Sequence, residues 1–136
     1  MATFEILAAN NGDSSSVVGY PEGTKMYVAL LNQTGTDAPV ATVLVNTLGG
    51  TLVWTRSFAG IYSATLSGVF TSGKTVCFAT CGTNDGSAPA TTVLQMARTS
   101  NDVVLLYSYF VDSGSTLSND ITDGSPVSVQ ILVFPS

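Results

Sequence analysis

Residues Asn46–Thr80, NTLGGTLVWTRSFAGIYSATLSGVFTSGKTVCFAT, contain three runs of alternating apolar and polar residues that are separated by glycine-rich turns. A period of two is typical of a β-strand with one buried face. The alternation places Leu52 and Trp54 on one face of the first run, and a simple hairpin register brings Trp54 near Tyr62 of the second. We therefore predict a three-strand antiparallel meander to which the other strands are added.

Further runs outside this stretch are rich in β-favouring residues and are bounded by turn residues. They are Thr3–Ala9, Lys25–Leu31, Val40–Val45, Thr91–Thr99, Asp102–Val111 and Val127–Phe134. The composition of Val40–Val45 indicates that it is buried on both faces or faces a partner. Asp102–Val111 is also apolar on both faces, so it is central or lies at an interface. Asp112–Ser125 is the longest loop.

These runs give eight or nine strands and no helix. We predict an all-β fold, an antiparallel β-sandwich, and the pattern fits an Ig-like or a jelly-roll topology equally well. A chain of 136 residues is the size of one domain. We assign the sandwich to residues 25–136. Residues 1–24 are interpreted as an N-terminal arm that packs on a neighbouring subunit, or as an edge strand.

The surface is expected to be nearly neutral, because only 10% of the residues are charged against about 25% in an ordinary domain. Few charges are then present to keep copies apart, which favours self-association. The basic residues occur singly at Lys25, Arg56, Lys74 and Arg98 and offer no patch for nucleic acid. No apolar run reaches the roughly 18 residues that cross a bilayer, and no export signal begins the chain. We predict neither a nucleic-acid partner nor membrane insertion.

Catalysis is not predicted, because the chain contains no histidine. This absence removes the usual general base and most zinc sites. Glu5 and Glu22 are the only glutamates, so a pair of catalytic carboxylates would have to come from loop aspartates. We predict no enzyme, no catalytic residue, no cofactor and no metal.

A calcium site is an alternative that the sequence leaves open. Asp112, Asn119, Asp120 and Asp123 carry the hard oxygen ligands that Ca²⁺ prefers. The spacing of an EF-hand is absent, and turn formation explains the same residue types.

A sugar-stacking platform is the second alternative. Trp54, Tyr62, Tyr107 and Tyr109 would supply it if some of them lay on a solvated face. Burial in the core is the competing interpretation of these four rings.

Cys77 and Cys81 are four residues apart in the third predicted meander strand. Extended backbone would separate their Cα atoms by about 13 Å, which is beyond disulfide reach. We interpret them as small apolar residues that do not bridge each other.

One resemblance covers about a third of the chain, from Leu30 to Val76. Its motifs are Gln33-Thr34-Gly35, Ala38-Pro39, Leu48-Gly49-Gly50, Trp54-Thr55-Arg56 and the run Gly60–Leu66. This segment resembles small β-domains of structural proteins from tailed bacteriophages, especially those of Bacteroidetes hosts, and the ending Val127–Ser136 is similar in style. None of the motifs is catalytic.

The resemblance implies a virion component present in many copies, such as a capsid decoration or head-fibre protein, or a tail or fibre subunit. Its partners would be other copies of itself and other virion proteins, and it would assemble in the host cytoplasm. The alternative function is a carbohydrate-binding module that adheres to host-surface glycan. Both functions leave the protein without an active site.

Overall fold

Two antiparallel β-sheets pack face to face in the computed structural model, which describes residues 19–81, 92–112, 115–118, 121 and 127–136. This arrangement confirms the predicted all-β sandwich. The nine strands within these residues are β1 (Lys25–Asn32), β2 (Val40–Asn46), β3 (Val53–Phe58), β4 (Ile61–Thr65), β5 (Thr75–Cys81), β6 (Thr92–Arg98), β7 (Val103–Asp112), β8 (Ser115–Ser118) and β9 (Val127–Val133).

Sheet 1 has the strand order β2-β1-β9-β5. β1 and β2 form a hairpin, and β1 also pairs with β9, so that Lys25 lies opposite Val133. β5 pairs with the other edge of β9. A strand late in the chain therefore joins the first hairpin to β5.

Sheet 2 has the order β3-β4-β7-β6. β4 pairs with β7 over Val103–Tyr107, and β8 pairs with the following stretch, Tyr109–Asp112. Since β6 occupies the opposite edge of β7, β8 continues the line of β4. The hairpin between β3 and β4 turns at Gly60, whose φ of 71° lies in the left-handed region that suits glycine.

The core lies between the two inner faces. Alternate residues of the strands point inward, as the period of two requires. Those that are fully or almost fully buried include Tyr27, Ala29, Leu31, Trp54, Tyr62, Ala64, Val104, Leu106, Val129 and Ile131. Sixteen buried apolar side chains form this one cluster among the described residues. A single core agrees with a single sandwich domain over this part of the chain.

The predicted three-strand meander is wrong in its third strand. β3 and β4 pair as expected, but β5 leaves them and joins the opposite sheet. The connection carries Phe70, which is fully buried between the sheets. Its N–H donates to the carbonyl of Asn101 at 2.8 Å, and its carbonyl accepts from Arg98 Nε at 2.6 Å. Burial of this ring takes the chain from one sheet to the other.

Two further predictions from the sequence differ from the structure, one for β2 and one for the loop after β7. Of the two alternatives for β2, burial on both faces is wrong, because most of its side chains are exposed. The predicted loop Asp112–Ser125 contains a short strand, β8. β7 is central, as expected, since it has neighbours on both edges.

The predicted arm, residues 1–24, falls mostly outside the described residues. Its last part is described from Gly19 onward. Tyr20 makes an edge contact with Phe134, with ring centroids 5.9 Å apart. Thr24 is buried, and its hydroxyl donates to the carbonyl of Pro21 at 2.6 Å. The chain therefore packs on the sandwich just before β1.

Candidate functional site

The outward-facing positions of both sheets carry no charged residue in the strands that the structure describes. Turns hold Glu22, Asp37, Lys74 and Asp102, whereas Lys25, Arg56 and Arg98 lie opposite residues that point into the core. An ordinary soluble domain has charges of both signs over its surface. The two outer faces of this sandwich are therefore unusual surfaces for a molecule that remains solvated.

The outer face of sheet 2 presents an aromatic platform, which we call the tyrosine face and define as Phe58, Ile61, Gln95, Tyr107 and Tyr109. Phe58, Ile61 and Tyr107 lie in one row across three strands, and Gln95 lies opposite Tyr107 on the fourth. The rings of Tyr107 and Tyr109 are 6° from parallel, with centroids 6.1 Å apart. Phe58 is 71% exposed. This face offers aromatic rings and neutral polar groups together.

The outer face of sheet 1 is also apolar. Phe78 and Gln130 lie opposite each other on β5 and β9, with Val28 next in the same row on β1. These residues line a shallow groove together with Thr80 and Ser128. Phe78 is nearly half exposed. The lining of the groove is apolar and neutral polar, and none of these side chains can act as a general acid or base near neutral pH.

Strand β2 is open to solvent at the edge of sheet 1. Val40 is 69% exposed, Leu44 58% and Val43 49%. Val43 is exposed although its register partner, Ala29, is fully buried. A bulge leaves Leu44 as an extra residue relative to β1. This strand exposes apolar side chains to both sides of the sheet.

The four predicted platform residues divide into two pairs. Trp54 and Tyr62 lie in the core, so the competing interpretation is correct for them. Trp54 lies opposite Ala64, with Tyr62 one diagonal position away. Tyr107 and Tyr109 lie together on the outer face of sheet 2, where the predicted platform required them.

The buried aromatic rings are held by hydrogen bonds that the sequence pattern did not reveal. Tyr62 donates its hydroxyl to Gln33 Oε1 and accepts from the backbone N–H of Ile121 at 2.9 Å. Gln33 also donates from Nε2 to the carbonyl of Gly35 at 3.1 Å. Gln33 follows β1 directly in a stretch with the composition of a loop, so its 5% exposure had no signal in the sequence. This network is structural, since it fixes the loop to the core.

The predicted calcium ligands are not brought together by the described part of the structure. Asn119, Asp120 and Asp123 lie outside the described residues, and Asp112 ends β7. Where residues are described, no three histidine, cysteine or acidic side chains form a group that could hold a metal ion.

The two cysteines lie in one strand, β5, as predicted. Cys77 is a free thiol that packs against the core, which confirms that it does not bridge Cys81. Burial raises the pKa of the Cys77 thiol above its ordinary value of 9.0. A raised pKa keeps the thiol protonated and unreactive, as expected for an apolar role.

Comparison with protein-family models, with curated proteins and with solved structures finds no match to this chain. In the ranges that the structure covers, no helix is long and apolar enough to cross a membrane.

Proposed function

We propose that this protein is a non-enzymatic structural subunit that acts by self-association and by docking onto a larger assembly. The observation that supports this proposal most is the absence of charge from both outer sheet faces in the described strands. Phe58, Val53 and Val93 are each more than half exposed on one of them, and Val76 and Phe78 are nearly half exposed on the other. Burial of such surfaces against a partner removes apolar area from water at little desolvation cost.

The assembly that we propose is the virion of a tailed bacteriophage. The support comes from the motifs between Leu30 and Val76, which resemble virion β-domains. In the structure these motifs lie in the turns before and after β2, in β3 and in β4. The subunit would serve as a capsid decoration or head-fibre protein, or as a tail-associated subunit. Its partners would be other copies and other virion proteins.

Carbohydrate binding is the second candidate, and the tyrosine face favours it. Parallel phenol rings offer apolar surfaces to a sugar ring, and the neighbouring Gln95 offers both a donor and an acceptor. The absence of charge on this face suits a neutral glycan. A virion protein with such a face would also attach particles to host-surface glycan.

The test begins with the mass of the purified protein in solution at micromolar concentration. Sedimentation equilibrium is expected to give a multiple of 14.0 kDa. The variant Phe58→Lys places a charge on the tyrosine face and is expected to weaken docking onto phage particles, measured by co-sedimentation. Ser72→Lys adds the same charge at an exposed turn and is the matched control. A mass of 14.0 kDa for the unaltered protein at every concentration would contradict self-association.

Two further measurements separate the candidates. Electron micrographs of phage particles labelled with an antibody to this chain are expected to show regular labelling. A glycan array tests the carbohydrate function, and Tyr107→Ala with Tyr109→Ala should abolish any binding that it detects. Glycan binding without self-association or particle labelling would place the carbohydrate function first.

A further inference from the structure

Strand β2 has one hydrogen-bonded neighbour, β1, among the described strands. Its other edge therefore presents backbone N–H and C=O groups that no described strand pairs. Such an edge is a template for another strand, and proteins usually protect it with charges or a covering segment. Between Val40 and Asn46 no residue is charged.

The side chains of β2 indicate what kind of partner covers it. Val40 and Val43 project to opposite sides of the sheet, and both are about half exposed or more. A flat surface docked on one face would leave the other side chain in water. An extended strand, in contrast, bonds the free edge and places its own side chains on both faces at once.

The other sheet edges are less suited to this pairing. β5 and β6 are edge strands of different sheets and lie close to each other, which leaves less room for a further strand at either edge. β3 is the edge of sheet 2, but it includes the charged residue Arg56. Covering β2 with another strand therefore removes no charged side chain from water, so its desolvation costs the least free energy.

We infer that β2 pairs with β2 of a second copy of this chain, in antiparallel orientation, about a two-fold axis perpendicular to sheet 1. This inference rests on the proposed self-association and names the surface through which two copies associate. A strand without charge is compatible with itself, and the two-fold arrangement uses both free edges, so the pair is closed and does not grow into a fibre. Sheet 1 of one copy and sheet 1 of the other, each four-stranded, then form one continuous eight-stranded sheet.

The bulge in β2 determines where along the strand the two-fold axis lies. Leu44 interrupts the regular register, so the regular stretch runs from Val40 to Val43. Its centre lies at Ala41 and Thr42, and the axis passes beside one of these two residues, because it sets a residue opposite its own copy. Leu44 and Val45 follow the paired stretch and add apolar contact area next to it.

A charge at the edge tests the inference. Val43→Lys is expected to shift the mass in sedimentation equilibrium from the dimer to the monomer, and Ser72→Lys to leave it unchanged. Val43 is half exposed, so the variant should fold. A cooperative thermal unfolding transition of the variant verifies that it does. Val93→Lys introduces a charge at a site of 51% exposure on the outer face of sheet 2. It should leave the mass unchanged if β2 forms the contact between copies, and lower it if that outer face does. A lower mass with Val93→Lys and an unchanged mass with Val43→Lys would keep self-association and overturn the β2 pairing.

Cross-linking gives a second test that does not depend on destabilising the edge. In a background with Cys77→Ser and Cys81→Ser, the variants Ala41→Cys and Thr42→Cys test the two possible positions of the axis, since one of them places its thiol opposite its own copy. Directly opposed residues of antiparallel strands have Cβ atoms about 4.5–5.5 Å apart, close to what a disulfide needs. At least one variant is expected to form a covalent dimer under mild oxidation, whereas Ser72→Cys should not. An associated protein in which neither variant cross-links would overturn the inference.

Discussion

The indole N–H of Trp54 donates a hydrogen bond of 3.1 Å to the phenol oxygen of Tyr27. Trp54 belongs to β3 of sheet 2 and Tyr27 to β1 of sheet 1, so this bond connects the two sheets through the core. Both rings are almost fully buried. Burial raises the pKa of the Tyr27 phenol, and the bond from Trp54 opposes that rise. The pair combines apolar burial with satisfaction of two polar groups.

Trp54→Ala is expected to be among the most destabilising single changes. Truncation of a buried tryptophan costs about 3–5 kcal/mol, a large share of the roughly 5–15 kcal/mol that stabilises a domain. Trp54→Phe should cost less, because it keeps a ring and loses mainly the bond to Tyr27. Denaturant unfolding measures both. If Trp54→Ala keeps its unfolding midpoint and loses particle or glycan binding, the core position of this ring is refuted.

Tyr62→Phe is expected to destabilise the protein although it removes one oxygen atom. The change leaves Gln33 Oε1 and the N–H of Ile121 without their buried partner. Each unsatisfied buried group costs on the order of 1–3 kcal/mol. Tyr107→Phe is the matched control, since Tyr107 lies on the outer face and its change should stay within about 0.5 kcal/mol. Equal free energies of unfolding for the two variants would argue against the network.

Cys77→Ser and Cys81→Ser are expected to leave assembly unchanged under reducing and non-reducing conditions alike. Cys77 is a free thiol in β5, so no covalent bond is lost. A modest loss of stability follows for Cys77→Ser, because the thiol packs against the core and a hydroxyl is harder to bury. Size-exclusion chromatography with and without reductant checks this. Isolation of a peptide with Cys77 joined to Cys81 would contradict their place in one extended strand.

Stability is expected to fall at alkaline pH. Burial raises the pKa of Cys77 above 9.0 and that of Tyr27 above 10.0, so the unfolded chain releases these protons at lower pH than the folded one. Between the unfolded and folded pKa values the unfolded state binds fewer protons, and the free energy of unfolding decreases as pH rises. The contribution of each group is complete below its unfolded pKa.

Cys77→Ala isolates the thiol's share of this decrease. Its free energy of unfolding should fall less steeply than that of the unaltered protein between the pKa of the unfolded Cys77 thiol and its raised pKa in the folded state. Urea unfolding at a series of pH values measures the difference. Identical slopes for the two proteins would assign the decrease to other groups.

Most of the strands were predictable from the sequence, because an alternation of period two identifies a half-buried strand directly. Leu52, Trp54 and Tyr62 lie inside, on the faces that the alternation predicts. The same pattern contains no information about which of two sheets a strand joins. β5 alternates like β3 and β4, and what marks its transfer to sheet 1 is the connection before it, in which Phe70 is buried and Val69 packs against the core.

Exposure of apolar strands was the less predictable part. β2 has the composition of a buried strand, and its exposure follows from its position at an edge, which pairing across the whole chain determines. The tyrosine face was predictable only in part. Tyr107 and Tyr109 share a face by alternation, but Phe58 joins them through a register shift in the hairpin between β3 and β4. Registers of this kind have no local signature.

The position of β9 between β1 and β5 has a consequence for the growing chain on the ribosome. The hairpins β1–β2, β3–β4 and β6–β7 are local and can form as each is synthesised, but β5 has no partner in its sheet until β9 emerges. At about 5–20 residues per second, that interval lasts on the order of seconds. Cys77 and Ala79, which pack against the core in the folded protein, stay uncovered on an unpaired strand during this time. The nascent protein is therefore most dependent on chaperones between the synthesis of residue 81 and that of residue 127.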